Sequence, residues 1–362
     1  MIMVGAMVAV LWGIGVAMGA PKRARWIMIG ILLAAVIFIQ LSLPDGHPLR
    51  EATGSDVRLW LLLIAASGIA TAYGAVLRKL RARAQPADTH VKSDSFSPTE
   101  LDRYARHIML REVGGTGQKA LRNARVLVVG AGGLGSPALQ YLAAAGVGTI
   151  GVIDDDFVEN ANLQRQVIHA DDRIGMAKVH SAAQAMTDQN PTANVRAYHR
   201  KFDAKIAREL IEDYDLILDG TDNFETRYLV NEIAVAAQKP LISAALTQWE
   251  GQISLYDPAR GTPCYACIFP SAPDPALVPT CAQAGVISPL PGVIGSMMAL
   301  EAIKVITGAG QTFANRLHLY DALYGETRTI AIKPRADCTV CQGRGLHTAA
   351  TAPTSSSKEP SS

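Results

Sequence analysis

The chain has 362 residues, with 34 lysines and arginines against 32 aspartates and glutamates and a charged fraction of 18%. A net charge of +2 leaves no basic surplus for neutralising phosphates, so no nucleic-acid partner is expected. Hydrophobic residues reach 49%, which excludes general disorder, and five cysteines in this length do not read as a secreted disulfide scaffold.

The apolar excess is concentrated at the N-terminus. Residues 1–20, 26–43 and 59–77 hold no charged side chain, and each is about long enough to cross a hydrocarbon core as a helix. Residues 1–80 therefore read as a three-span transmembrane anchor. Lys22, Arg23 and Arg25 follow the first span and Arg78, Lys79, Arg81 and Arg83 the third, while the second connection mixes acids and bases. The positive-inside rule then puts the N-terminus outside and everything after Arg78 in the cytoplasm. The expected localisation is the cell membrane, multi-pass, with a cytoplasmic catalytic domain. A cleaved signal peptide has the opposite polarity, because no base precedes the first apolar run and a basic cluster follows it. No Asp, Glu, Lys or Arg lies inside a span, so an anchor is expected rather than a transport pathway. Residues 81–97 read as a polar linker and 346–362 as a disordered tail.

Ser97-Pro98-Thr99-Glu100 forms a capping box that opens a helix towards Leu110, carrying Arg103, Tyr104 and Arg106. Arg125–Val129 is a buried-strand run. It feeds Gly130-Ala131-Gly132-Gly133-Leu134-Gly135 and a helix from Ser136 to Ala145, which is G-x-G-x-x-G in its strand-to-helix setting. Small residues let that backbone close on a phosphate chain, and the helix N-terminus supplies N–H donors. A second strand, Thr149–Asp154, ends in Asp154-Asp155-Asp156, where an acid can hydrogen-bond ribose hydroxyls. Further strands are expected over 215–219, 240–245, 251–256, 317–321 and 327–332, with helices over 227–238 and 293–307. The fold class is α/β: a Rossmann-like mixed sheet, parallel at its start with antiparallel additions, preceded by three transmembrane helices.

Cys264-Tyr265-Ala266-Cys267 and Cys338-Thr339-Val340-Cys341 are two C-x-x-C pairs. Each pair can fill two corners of a tetrahedron, so together they predict a closed structural zinc site that ties the C-terminal region to the sheet. Cys281 stands apart in a Pro-rich stretch, 270–291, and reads equally as a nucleophile or a small buried apolar residue.

Taken in order, these motifs resemble the MoeB/ThiF/HesA group of ubiquitin-activating-like adenylyltransferases. The match also includes Asn162-Leu163-Gln164-Arg165-Gln166, Gly175-Met176-Ala177-Lys178, Asp219-Gly220-Thr221-Asp222-Asn223, Glu250-Gly251-Gln252-Ile253 and Thr280-Cys281, and runs over 98–345 as an ATP-binding adenylyltransferase domain. The resemblance implies that Mg-ATP adenylates the C-terminal glycine of a small ubiquitin-fold sulfur carrier. Sulfur transfer to a thiocarboxylate would follow, in molybdopterin or thiamin biosynthesis. It further implies that Gly130, Gly132, Gly133 and Gly135 line the phosphates and that Asp154, with Asp156, belongs to the nucleotide set. Asn162, Arg165 and Lys178 would meet the phosphates, and Asp222 would bind magnesium. Arg106 would enter the neighbouring subunit of a homodimer, and Cys281 matches a cysteine that joins the carrier covalently in some members. No rhodanese-like segment follows Cys341, so a separate sulfur donor is expected.

Two other readings fit parts of the chain. An NAD-dependent oxidoreductase with structural zinc accounts for the glycine loop and Asp154 but not for the Asn162–Arg165 run or Asp222. A non-catalytic membrane docking module would keep the fold without the chemistry.

Overall fold

The computed structural model describes residues 2–19, 21–44, 46–54, scattered positions from 56 to 74, 95–273 and 284–343. The chain divides into two compact units, 1–94 and 95–362.

In the first unit lie helices α1 (Ile2–Ala17), α2 (Lys22–Ser42) and α3 (Pro48–Thr53). Gln40 of α2 closes the C-terminal end of α3, where helical carbonyls lack intrahelical donors. Its amide donates to the Arg50 carbonyl and to Thr53 Oγ1, each at 2.9 Å, and to the Gly54 carbonyl. Val4, Val36 and Trp60 pack together, and the Trp60 indole N–H donates to the Thr53 carbonyl at 3.1 Å. Within this unit Ala24–Ser42 has the length and apolarity to cross a membrane, and its Trp26, Ile27, Ile31, Phe38 and Leu41 face outward. Helix α1, with 16 residues, falls short of the roughly 20 that a hydrocarbon core requires. Most of the third expected span lies outside the described residues, as do the expected linker, apart from its last residues, and the tail. The described residues of this unit thus hold one helix of spanning length and one shorter apolar helix, not three transmembrane helices.

The second unit opens with α4 (Pro98–Ile108), whose Ser97 and Glu100 form both hydrogen bonds of the capping box, and α5 (Gly114–Asn123). An eight-stranded sheet follows: β1 (Arg125–Val129), β2 (Thr149–Asp154), β3 (Asn194–His199), β4 (Leu216–Asp219), β5 (Leu241–Leu246), β6 (Glu250–Tyr256), β7 (Arg316–Asp321) and β8 (Glu326–Ala331). Its order is β3-β2-β1-β4-β5-β6-β7-β8, parallel from β3 to β5 and antiparallel from β5 to β8.

The helices between them are α6 (Gly135–Ala144), α7 (Lys178–Gln189), α8 (Ala204–Glu212), α9 (Phe224–Ala236), the short α10 (Tyr265–Ile268) and α11 (Pro289–Thr307). Strand β1 shows why the sheet is covered on both sides. Val126 and Val128 enter one apolar cluster, with side chains of α6, α7 and α11, while Leu127 and Val129 enter the other, with α8 and α9. Alternation with period two puts successive side chains on opposite faces, and each buried Val or Leu stabilises the fold by roughly 1.5–3 kcal/mol. Helix α11 is also long and apolar enough to span a membrane, but Leu290, Ile294, Met298 and Ala302 are buried in the first cluster, which makes it a core helix.

Strand order reverses between β1 and β4, so a crevice opens beyond their carboxyl ends. The turns there almost touch. Gly130 has φ +95°, and a Cβ on it would stand 3.1 Å from the Gly220 carbonyl oxygen, so only glycine fits.

Candidate functional site

A cavity of about 1120 Å³ occupies this crevice and continues over β6–β8. Gly130, Gly132 and Gly133 line it from the glycine loop, Asp154 and Asp156 from the end of β2, and Asp222 from the loop after β4. Arg165 and Lys178, separated in sequence from all of these, line the same space. Two of the expected residues stand back from it. Gly135 is buried behind the loop, where a Cβ would collide with the Gly130 carbonyl, so its small size serves helix–strand packing. Asn162 does not line the cavity; its Oδ1 accepts from Arg165 Nη2 at 3.1 Å and so holds the guanidinium. Arg106 is exposed on α4 and is not part of the cavity wall, and Cys281 lies outside the described residues.

The loop pairs some of its backbone donors and leaves others open. The Gly130 N–H donates to the Ile153 carbonyl at 2.9 Å and the Ala131 N–H to Asp154 Oδ2 at 2.7 Å. The N–H groups of Gly132 and Gly133 have no partner among the described residues. Asp154 is pinned again by the Asp156 N–H at 2.8 Å. Burial pushes its carboxyl above the usual aspartate value, outweighing the opposing charge of Lys178. Lys178 has a side chain only 5% exposed, and its ammonium donates to Asp156 Oδ2 at 2.8 Å.

Other buried polar side chains brace the turns around the cavity. Asp219, fully buried, accepts from the Thr221 N–H (3.0 Å) and hydroxyl (2.6 Å) and from the Ser243 hydroxyl (2.7 Å). Arg227 lies 3.5 Å from the same carboxylate and donates to the Thr221 carbonyl at 2.6 Å. This buried network fixes the turn that presents Asp222, whose carboxylate is exposed at the cavity wall. His169, beneath the loop, contacts the Ala131 carbonyl at 3.0 Å and the Ser181 hydroxyl at 2.9 Å. Burial holds its imidazole down to about 4, so it is neutral at physiological pH. Asp219 stood inside the Asp219–Asn223 motif without a role of its own, and no motif marked Arg227 or His169; the tertiary pairing of separate elements identifies all three.

The four paired cysteines converge as their spacing predicts. Sγ–Sγ distances are 3.8 Å for Cys264–Cys267, 3.6 Å for Cys264–Cys338 and 3.5 Å for Cys267–Cys341, and all four are buried. A tetrahedron with metal–sulfur bonds of ~2.3 Å has edges of ~3.8 Å, so the cluster fits a four-coordinate metal. The Arg335 N–H donates to Cys267 Sγ at 3.4 Å, as an outer partner of a metal thiolate does. Between the first two cysteines Tyr265 projects into the cavity wall beside Arg227, whose guanidinium lies 5.8 Å from the ring centre. The four-cysteine cluster and the cavity therefore share a wall.

The sequence profile of the ThiF family matches residues 104–340. The chain belongs to the ThiF family. Among its relatives, the SAMP-activating enzyme E1 of Haloferax volcanii is 44% identical, over 70% of this chain and 93% of its own length. The sulfur carrier protein adenylyltransferase of Thermus thermophilus is 46% identical, over 68% and 92%. The probable adenylyltransferase/sulfurtransferase MoeZ of Mycobacterium tuberculosis is 48% identical over 67% of this chain but only 62% of MoeZ. Of solved structures, Escherichia coli MccB with MccA-N7isoASN superposes with a TM-score of 0.60 at 23% identity, covering 69% of this chain and 76% of that one. This last likeness bears on the fold, and it agrees with the mixed sheet of the ThiF family.

Proposed function

We propose that this protein uses ATP to adenylylate the C-terminal glycine of a small ubiquitin-fold sulfur carrier, preparing it for thiocarboxylate formation. The observation that carries the reading is the convergence of the unpaired Gly132 and Gly133 N–H groups, Arg165, Lys178 and Asp222 on one cavity. The Haloferax and Thermus relatives, aligned over nearly their whole lengths, support the same reaction and substrate class. None of the relatives named above carries an oxidoreductase name.

In this reading the phosphates rest on Gly132 and Gly133, and the ribose meets Asp154. A carboxylate oxygen of the carrier attacks the α-phosphorus. The bond from that phosphorus to the oxygen bridging towards the β-phosphate breaks, and pyrophosphate leaves with the electron pair. Negative charge grows on the phosphate oxygens, where Lys178 and Arg165 stabilise it more strongly than water would, because the site is partly desolvated. Asp156 holds Lys178 until the phosphates arrive. Asp222 is the residue suited to hold Mg²⁺, which when bound supplies Lewis-acid neutralisation of the triphosphate. The cavity's extension along Gln252, Leu319 and Arg328 gives the carrier tail a path to the α-phosphorus.

The remaining assignments belong to the same proposal. Zinc occupies the four-cysteine cluster, and a separate donor provides the sulfur. A homodimer brings Arg106 of each subunit to its neighbour's site, and residues 1–80 hold the enzyme at the cytoplasmic face of a membrane. The product feeds molybdopterin or thiamin biosynthesis. The test uses the full chain with a panel of ubiquitin-fold carriers ending in Gly-Gly. Carrier-dependent ATP–pyrophosphate exchange and an AMP mass adduct on the carrier are expected; ATP binding without either, across the panel, would favour a non-catalytic docking role. Alkali-resistant retention in the membrane fraction checks the anchor.

A further inference from the structure

The peptide joining Ala131 to Gly132 determines what the glycine loop can offer a phosphate. Its carbonyl accepts from His169 at 3.0 Å and, more weakly, from the Ser136 hydroxyl at 3.4 Å. A carbonyl oxygen can only accept, so the proton sits on His169 Nε2, and Nδ1 accepts from the Ser181 hydroxyl at 2.9 Å. The described chain has no cis peptide, and a trans peptide points its N–H opposite to its C=O. With the carbonyl turned inward to a histidine only 7% exposed, the Gly132 N–H is turned towards the cavity that Gly132 lines. Ser181 belongs to α7, the helix that begins at Lys178. One imidazole therefore fixes the loop relative to the helix that carries the phosphate-facing lysine.

We propose that His169 is a positioning residue for adenylylation: its Nε2–H holds the Ala131–Gly132 peptide in the orientation that aims the Gly132 N–H at a nucleotide phosphate. This rests on the reading that ATP occupies the cavity. A histidine that only filled space could be exchanged for any side chain of similar volume. Two amide replacements separate the roles, because they copy different ends of the ring. The glutamine Nε2 falls near the histidine Nε2 and keeps a donor for Ala131, whereas the asparagine amide falls near Nδ1, within reach of Ser181 only.

The experiment compares the full-length wild type, His169→Gln and His169→Asn. It measures affinity for a non-hydrolysable ATP analogue by calorimetry, KM and kcat in carrier-dependent pyrophosphate exchange, and thermal unfolding. His169→Asn is expected to weaken nucleotide binding by about tenfold, the effect of one lost hydrogen bond to a charged group, with KM for ATP carrying most of the change. His169→Gln is expected to recover most of that loss, although the two variants unfold at similar temperatures. Equal affinity in all three proteins overturns the proposal, and so does an equal loss in both variants that follows their stability. If His169→Asn does not fold, His169→Gln decides: near-native affinity supports the positioning role and a tenfold loss overturns it. A wild type that binds no ATP removes the nucleotide reading itself, whereas a wild type that binds ATP with unaffected variants removes only the role of His169.

Discussion

Strands β1 and β4 are buried almost throughout, whereas β8, in the same sheet and lining the same cavity, exposes every residue along its length. The parallel half is held by apolar cover on both faces, and its polar groups are paired within the Asp219–Arg227 network. The antiparallel half contributes a thinner wall, steadied where Tyr265 joins it to the four-cysteine cluster. Rigid backbone donors suit the triphosphate, and an open, largely solvated strand pair suits a protein tail that must enter and leave.

The largest effect should come from breaking the network under the parallel half. Asp219→Ala leaves the Arg227 guanidinium buried opposite no carboxylate, which is expected to cost about 3–5 kcal/mol in urea unfolding of the full chain. A loss below about 1 kcal/mol would mean that apolar cover alone holds the switch point.

Lys178→Met tests the same half without disturbing its stability, since the Asp156 carboxylate released by the change is 67% exposed and can hydrate. Carrier-dependent pyrophosphate exchange is expected to fall about 10²- to 10³-fold while the unfolding midpoint stays nearly constant. Comparable loss from a substitution on β8, such as Arg328→Ala, would erase the distinction between a catalytic half and a docking half.

The cysteine cluster sharpens the comparison from the other side. Cys341→Ser should remove stoichiometric zinc, measured by plasma mass spectrometry, and lower the unfolding temperature by roughly 5–10 °C. Because Tyr265 packs its ring against Tyr256 of β6, loss of the cluster should act first on the antiparallel half, and carrier-dependent exchange should decline more than ATP affinity. A parallel loss of both would place the metal in support of the whole site.

What could be read from the sequence was whatever lies close together along the chain. The capping box at Ser97, the strand–glycine–helix unit at Gly130 and the paired cysteines were legible because a turn, a helix start or a metal corner is specified within a few residues. Strand β3 was not, because Asn194–His199 is a half-buried edge strand with few strong β-formers. Helix α7 begins without a side-chain cap, which hid its start at Lys178. The His169–Ala131 and Arg227–Asp219 contacts depend on how separate elements dock, and single isolated residues carry no periodicity that would announce them. The apolar N-terminal runs were legible as composition, but composition set the first one's length too generously, since α1 ends at Ala17, whereas all but the last residue of the second falls within α2, which the basic cluster begins.

The smallest expected effect is a pH slope, and it probes the hinge between loop and helix directly. Burial, aided by the charges of Lys178 and Arg173 and opposed by the Ala131 carbonyl, lowers His169 from 6.5 to about 4. Between those values the unfolded chain binds a proton that the folded chain refuses, so stability rises with pH there. The stabilisation from this neutral imidazole is complete above about 6.5 and is lost as pH falls towards about 4. Asp154 runs the other way, since burial raises its carboxyl and the folded state takes up that proton sooner as pH falls. Urea unfolding of wild type and His169→Gln across this interval cancels the shared Asp154 contribution, and the wild type should lose more stability than the variant on acidification. Parallel curves would mean that the imidazole can be protonated in place, with Nδ1 donating to Ser181 instead of accepting. The Ala131–Gly132 peptide would then be held equally well by a charged ring, and the neutral tautomer would have no part in setting the loop.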